Sequence, residues 1–214
     1  EIASLPGKPA QRGSITREQA VALAFYGFNH EVYGRLNEAI GTSSKAGSMS
    51  EEMKVFHEFL FHVVCSLRAM PVVIGTVYRA IPITVAPSEY AKGKRIVWTT
   101  FTSASKSLDV AKAFISDRSG GTHGTIFNIR SKTARSLAGV PTDSSSPPSA
   151  AAPPSPGHPQ QLADEEVVFE PNSEFTVNEI SDLGQVVKID LTQLESTSSL
   201  VPPAIAPTVP PSSS

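Results

Sequence analysis

The chain has 214 residues, of which 18% are charged, and a formal net charge of −2 at neutral pH. That length suits one domain with a hydrophobic core and some sequence left over. The near-neutral charge offers no basic field for a phosphate backbone, which argues against a nucleic-acid partner. No apolar run reaches the roughly 18–20 residues that cross a bilayer, so we expect no membrane span.

Two segments are rich in proline and serine. Residues 141–161 contain seven prolines and five serines, and residues 196–214 share this bias. Such a composition buries too little apolar surface to order a chain. We therefore expect an N-terminal extension over residues 1–13 and one domain over residues 14–195. That domain would contain the first segment as a disordered insertion, and the second segment would be a disordered tail.

The single cysteine, Cys65, excludes an internal disulfide, and the chain contains no Asn-x-Ser/Thr glycosylation site. Both features favour a reducing compartment without fixing the localisation, and a secreted effector is the alternative. Cys65 belongs to an apolar helical stripe, which favours a packing role over that of a nucleophile.

The first third of the chain has helical periodicity. A capping pattern and apolar residues at helical spacing predict a helix over residues 16–29. A second helix is predicted over Glu31–Ile40, with Gly41 as its stop. A third is predicted from a cap at Ser48 to the residue before Pro71.

After Pro71 the pattern changes to short β-rich runs, which predicts an α+β fold. The predicted strands are Val72–Ile81, Ile96–Phe101, Gly124–Arg130, Glu166–Phe169, Phe175–Ile180 and Val186–Leu191. One helix, Leu108–Ser116, interrupts them. Because strands and helices do not alternate regularly, a doubly wound parallel sheet is disfavoured.

Common signatures of nucleotide and hydrolase sites are missing. The sequence has no GxGxxG, no GxxxxGK[ST] and no GxSxG motif. His57 and His62 are five residues apart, which places them on different faces of a helix, so we predict no metal site there.

Three polar features in the β-rich part stand out. Arg79 ends an apolar run, where a buried cation needs an anionic partner or ligand. Ser103 and Ser105 lie at a strand end. Asp164 and Glu166 flank Glu165 in an acidic triplet before a strand, and alternation places these two on one face. Taken singly, each has a plainer interpretation: a strand start, a polar strand edge and a solvated acidic turn.

In this order the three features resemble the R-S-E pattern of the arginine-type mono-ADP-ribosyltransferases, which include vertebrate ecto-enzymes and binary actin-modifying toxins. The arginine, an F-x-S-x-S strand and an acidic triplet followed by V-V-x-x-P-N-x-x-F carry the resemblance. Residues 22–26, 33–40 and 124–129 add to it, so the similarity covers most of residues 15–194. The resemblance implies an N-terminal helical lobe and two packed, mainly antiparallel sheets that form an NAD cleft.

The resemblance also implies roles for the first two motifs. Arg79 grips the NAD diphosphate, and Ala80 stands where eukaryotic members usually have a glycine that lets the backbone approach nicotinamide. Ser103 orients the catalytic glutamate. Ala104 replaces the central threonine of the usual Ser-Thr-Ser motif.

Glu166 takes the place of that catalytic glutamate. Its carboxylate would hold the ribose 2′-hydroxyl beside the positive charge that develops when nicotinamide leaves. Asp164 takes the position that activates or positions the acceptor, one methylene shorter than usual. Phe114 falls where toxin members place an aromatic against nicotinamide, and a core position on a helix is its alternative. Arg118 could assist the phosphates, although a solvated charge is the simpler interpretation.

The resemblance implies an NAD-dependent mono-ADP-ribosyltransferase that modifies a protein side chain, most simply arginine, and releases nicotinamide. NAD is its substrate, and we expect no metal and a monomer. One alternative is an NAD glycohydrolase of the same fold. Another is a catalytically silent module that recruits SH3- or WW-type partners through its proline-rich segments. The proline-rich run before the acidic triplet replaces a loop that in this family helps to recognise the target.

Overall fold

The structure is a computed structural model that describes residues 15–28, 30–119, 123–138 and 165–195. The predicted N-terminal extension, the proline-rich insertion and the tail lie outside these residues, so the predicted domain bounds stay predictions.

Three helices form the N-terminal lobe: α1 (Arg17–Phe28), α2 (His30–Ala46) and α3 (Glu51–Ala69). The predicted capping box starts α1. The backbone N–H of Thr16 donates to Gln19 Oε1 (3.0 Å), and the N–H of Gln19 donates back to Thr16 Oγ1 (3.3 Å). This reciprocal pair satisfies two backbone donors that the first helical turn leaves open.

Two predicted helix ends are wrong. The helix α2 continues through Gly41, and the left-handed backbone that ends it belongs to Gly47 (φ 66°). The cap of α3 is Ser50 instead of Ser48, since Ser50 is extended and its hydroxyl accepts from the Met53 N–H (3.1 Å).

Seven strands and a fourth helix follow the helical lobe. They are β1 (Val72–Ile81), β2 (Arg95–Trp98), β3 (Thr102–Ser105), α4 (Leu108–Ser119), β4 (Gly124–Ser136), β5 (Glu166–Phe169), β6 (Ser173–Asp182) and β7 (Val186–Gln193). The strand predicted over residues 96–101 is present as β2 but ends at Trp98, and an irregular link then leads to β3. In that link the backbone of Phe101 is hydrogen-bonded to α2. The Phe101 N–H donates to Asn37 Oδ1 (3.0 Å), and the Phe101 carbonyl accepts from the Tyr33 hydroxyl (3.4 Å).

The strands form one sheet in the order β1-β3-β5-β4-β7-β6-β2, with an additional pairing between β1 and β4. Every pairing is antiparallel except that of β4 with β7. The α+β class and the mainly antiparallel sheet are confirmed. The two predicted sheets are joined into one because β4, with 13 residues, pairs with β1, β5 and β7.

Two hydrophobic cores lie on the two faces of β5. Val168 belongs to the core beneath the three helices, and Val167 belongs to the core enclosed by the rest of the sheet. Because neighbouring residues of a strand point to opposite faces, β5 is anchored from both sides. Glu166, the residue before this pair, therefore begins a rigid strand.

Candidate active site

The site begins with a contact between two of the predicted motifs. The Arg79 guanidinium, on β1, donates from Nη1 to the backbone carbonyl of Ser103 on β3 (2.7 Å). Burial lowers the pKa of Arg79, and nearby tyrosines, first Tyr33 and Tyr90, oppose that shift. Since an arginine side chain stays protonated in proteins, a partly buried cation lies at this point.

A cavity of about 290 Å³ opens beside Arg79. Its polar lining consists of Arg79 and the hydroxyl-bearing residues Thr99, Thr100 and Thr102, and its aromatic lining consists of Tyr90, Trp98 and Phe127. Among the described residues that line it, none carries a carboxylate. One fixed cation, several hydroxyls and an aromatic wall suit an anionic ligand that also has apolar surface.

Strand pairing brings the serine motif to the glutamate. In the antiparallel β3–β5 pair, Ser105 lies directly opposite Glu166, and Ser103 lies opposite Val168. Opposed residues share a face of the sheet, and so do residues two apart. Ser103, Ser105 and Glu166 therefore all belong to the face that packs against the helices. Ser105 Oγ also accepts from the Ser107 N–H (3.0 Å), which fixes the turn into α4.

Tyr26 of α1 is buried against Phe101, with ring centroids 5.1 Å apart. Burial raises its pKa most strongly, Tyr33 and the negative charge of Glu166 raise it further, and Arg79 opposes the rise. The cation and the carboxylate lie on opposite faces of the sheet, because Arg79 shares the face of Phe127 whereas Glu166 belongs to the helix-facing side.

Two residues that differ from the family pattern, Ala104 and Ala80, lie in strands of the sheet. Ala104 is buried (7% exposed) in the core of the sheet, on the face opposite Ser103 and Ser105. Alanine at that position therefore removes no hydroxyl from the helix-facing side. Ala80 is paired with Ile126 of β4.

Several predicted residues cannot be placed. Asp164 lies outside the described residues. Phe114 and Arg118 belong to α4, but their side chains are not among those described.

Sequence reasoning missed the residues of α1 and α2 that border the site. Tyr33 and Asn37 hold the backbone of Phe101, two residues before Ser103, and Tyr26 packs on Phe101. The spacing of four between Tyr33 and Asn37 signals a shared helical face. Nothing in that spacing indicates contact with a link between strands about 65 residues further along the chain.

Among the described residues, no group of three or more His, Cys, Asp or Glu side chains could hold a metal ion. In the same part of the chain, no helix is both long and apolar enough to cross a membrane.

A sequence model of the NAD:arginine ADP-ribosyltransferase family matches residues 9–143, which is more than half of the chain. The chain belongs to this family. It is an ADP-ribosyltransferase with NAD as its substrate. The matched range includes Arg79 and Ser103 and ends before Glu166. No curated protein sequence matches the chain.

Solved structures of bacterial ADP-ribosyltransferases and toxins share the fold. The Vis ADP-ribosyltransferase of Vibrio splendidus, crystallised with agmatine, is 16% identical with a TM-score of 0.62, covering 88% of this chain and 80% of its own. HopU1 of Pseudomonas syringae pv. tomato DC3000 is 15% identical (TM-score 0.57; 82% and 76% covered). The enzymatic component C2-I of the Clostridium botulinum C2 toxin is 16% identical (TM-score 0.56; 84% and 44% covered). The predicted ADP-ribosyltransferase fold is confirmed.

Proposed function

We propose that this ADP-ribosyltransferase modifies arginine side chains of a protein, with release of nicotinamide. The observation that carries the proposal is the Arg79–Ser103 contact, which fixes a guanidinium at the wall of a cavity close to the strand that begins with Glu166. NAD binding, bond cleavage and acceptor choice follow from different parts of this arrangement.

Arg79 would bind the NAD diphosphate. A guanidinium has five N–H donors in one plane, and the Ser103 carbonyl takes one of them. The remaining donors can bind paired phosphate oxygens, which a lysine ammonium cannot match in geometry. The threonine hydroxyls at the cavity wall offer further donors to the same ligand.

Glu166 would stabilise the reacting ribose. When the bond between ribose C1′ and the nicotinamide nitrogen breaks, the electron pair leaves with neutral nicotinamide, and the ribose gains positive charge. A carboxylate that holds the 2′-hydroxyl places a negative charge next to it. A nitrogen of the acceptor guanidinium then bonds to C1′ and gives up a proton to a base. We assign that base to Asp164.

Two observations favour a guanidinium acceptor. The family that the chain belongs to is described as NAD:arginine ADP-ribosyltransferases, and the similar Vis enzyme was crystallised with agmatine, which ends in a guanidinium. Water is the competing acceptor, because the carboxylate of Asp164 reaches less far than the usual glutamate. Hydrolysis would convert NAD to free ADP-ribose.

Incubation with radiolabelled NAD, with and without agmatine, distinguishes these activities. Transfer predicts ADP-ribosyl-agmatine together with one nicotinamide per product. Free ADP-ribose at the same rate with and without agmatine would show a glycohydrolase. A protein that neither binds NAD nor releases nicotinamide would support the silent module and contradict our proposal. The Glu166→Gln variant is the control, since it should abolish either activity.

A further inference from the structure

An exposed groove runs between α1 and α3 of the helical lobe. It has a volume of about 520 Å³, and its apolar lining consists of Val21, Ala22, Phe25 and Phe59. Val21 is 58% exposed and Phe25 is 50% exposed, although both are large apolar side chains. None of the residues that line the groove also lines the Arg79 cavity, so the two surfaces are separate. An apolar surface of this kind indicates that another part of the protein, or a partner, packs there.

The chain enters the described structure at one end of this groove. The N-terminal segment (residues 1–14) leads into α1, whose first residues Arg17 and Glu18 also line the groove. Fourteen extended residues reach at most about 46 Å, whereas α1 from Arg17 to Phe25 is only about 12 Å long. Gly13 suits the reversal that would turn the segment back along α1. Since the segment is tethered beside the groove, its effective concentration there is about millimolar or higher.

The sequence of the N-terminal segment fits an apolar groove with aromatic walls. It contains Pro6-Gly7-Lys8-Pro9, a P-x-x-P pattern. Polyproline II has three residues per turn, so Pro6 and Pro9 share one edge of that helix. Such segments bind grooves lined by aromatic side chains, because the helix is formed in advance and little entropy is lost. Phe25 and Phe59 supply aromatic side chains here.

Charge distinguishes the N-terminal segment from the other proline-rich parts of the chain. Residues 141–161 and 196–214 contain no lysine or arginine, whereas the N-terminal segment carries Lys8 and Arg12. A carboxylate, that of Glu18, stands at the end of the groove where the segment enters. Of the three proline-rich parts, only the N-terminal segment can therefore pair a basic side chain with this carboxylate.

We propose that the N-terminal segment folds back along α1 and packs Pro6 and Pro9 into this groove. The two prolines contact Phe25 and Phe59, and a basic residue of the segment pairs with Glu18. This docking covers exposed apolar side chains of the helical lobe, and it is independent of the proposed function.

Limited digestion of the full chain with trypsin tests this. Outside the described residues, Lys8 and Arg12 are the only basic residues, and trypsin does not cleave Lys8 because a proline follows it. Cleavage after Arg12 measures the fraction of molecules in which the segment is undocked. Wild type should be cut there at least about tenfold more slowly than a synthetic peptide of residues 5–16.

The double variant Pro6→Ala/Pro9→Ala should be cut after Arg12 about tenfold faster than wild type, and so should Phe25→Asp. A protein that carries all three substitutions should be cut no faster than either variant, since both remove the same contact. The matched control is Pro207→Ala/Pro210→Ala, which removes a P-x-x-P pattern from the tail and should leave the rate unchanged.

Equal rates for wild type and the peptide would overturn the inference, as would a Pro6→Ala/Pro9→Ala rate within twofold of wild type. An equal effect of the tail variant would assign the groove to the tail instead. If Phe25→Asp converts a dimer to a monomer in sedimentation and leaves the cleavage rate unchanged, a second copy of the chain occupies the groove. Since no outcome depends on NAD, the proposed function stands or falls separately.

Discussion

Arg79→Lys tests whether the guanidinium at the cavity wall binds the substrate. Lysine keeps the positive charge but has a single ammonium on a flexible stem in place of a planar fork. In the structure the guanidinium donates to the Ser103 carbonyl at 2.7 Å and borders the cavity at the same time. A lysine that satisfies the carbonyl cannot also present paired donors to a diphosphate.

The expected loss follows from those bonds. A hydrogen bond to a charged group contributes about 1.5–3 kcal/mol. Losing one of the paired bonds to a phosphate should therefore lower kcat/KM by about 10- to 150-fold. The melting temperature should change little, because lysine still supplies a donor to the Ser103 carbonyl.

The assay is the initial rate of nicotinamide release at several NAD concentrations. The matched control is Arg95→Lys on β2, next to the strand residues that line the cavity. Arg95 is mostly exposed, is paired with Glu174 and does not line the cavity, so its substitution should leave kcat/KM unchanged. If Arg79→Lys keeps kcat/KM within threefold of wild type, the guanidinium does not bind NAD as a paired donor.

Four further substitutions separate chemistry from packing. Glu166→Gln should lower kcat by about a hundredfold or more, which is the effect of removing one preorganised electrostatic group. Its affinity for carba-NAD, an analogue whose glycosidic bond is not cleaved, should stay within about threefold of wild type when measured by calorimetry. Equal losses of kcat and affinity would show that Glu166 serves binding instead. Ala104→Thr restores the residue usual in the resembling motif, but it overpacks the core of the sheet by about 1–3 kcal/mol, so the melting temperature should fall without a gain in kcat. Ser50→Ala should cost about 1 kcal/mol in denaturant unfolding and Ser48→Ala almost nothing; the reverse order would contradict the cap seen in the structure.

The sequence predicted some elements to the residue and failed on others for an identifiable reason. The bounds of β1 and β5 were predicted correctly, because each is an apolar run with a clear boundary at its start. The strand predicted over residues 96–101 was extended too far, past Trp98, because Tyr33 and Asn37 bind the backbone of Phe101. Local β propensity cannot anticipate a partner that comes from a distant helix.

In the candidate site, too, the sequence predicts local features but not the contacts between distant elements. Alternation alone predicts that Ser103 and Ser105 share a face, but only the pairing register places Ser105 directly opposite Glu166. Similarly, a helical pattern predicts that α1 has a buried face. It cannot reveal that Tyr26 packs on Phe101, because that depends on how the helix meets the strands.

The two faces of the sheet explain why Arg79 is held by a backbone atom. Arg79 pairs with Phe127 across β1 and β4 and shares its face, whereas Ser103 and Glu166 belong to the helix-facing side. A carbonyl lies in the plane of the sheet, so it is accessible from either side. The Ser103 carbonyl can therefore fix the guanidinium while the Ser103 side chain stays on the side of the glutamate. Ser103 thus binds the cation of one face through its backbone and places its side chain on the face of the carboxylate.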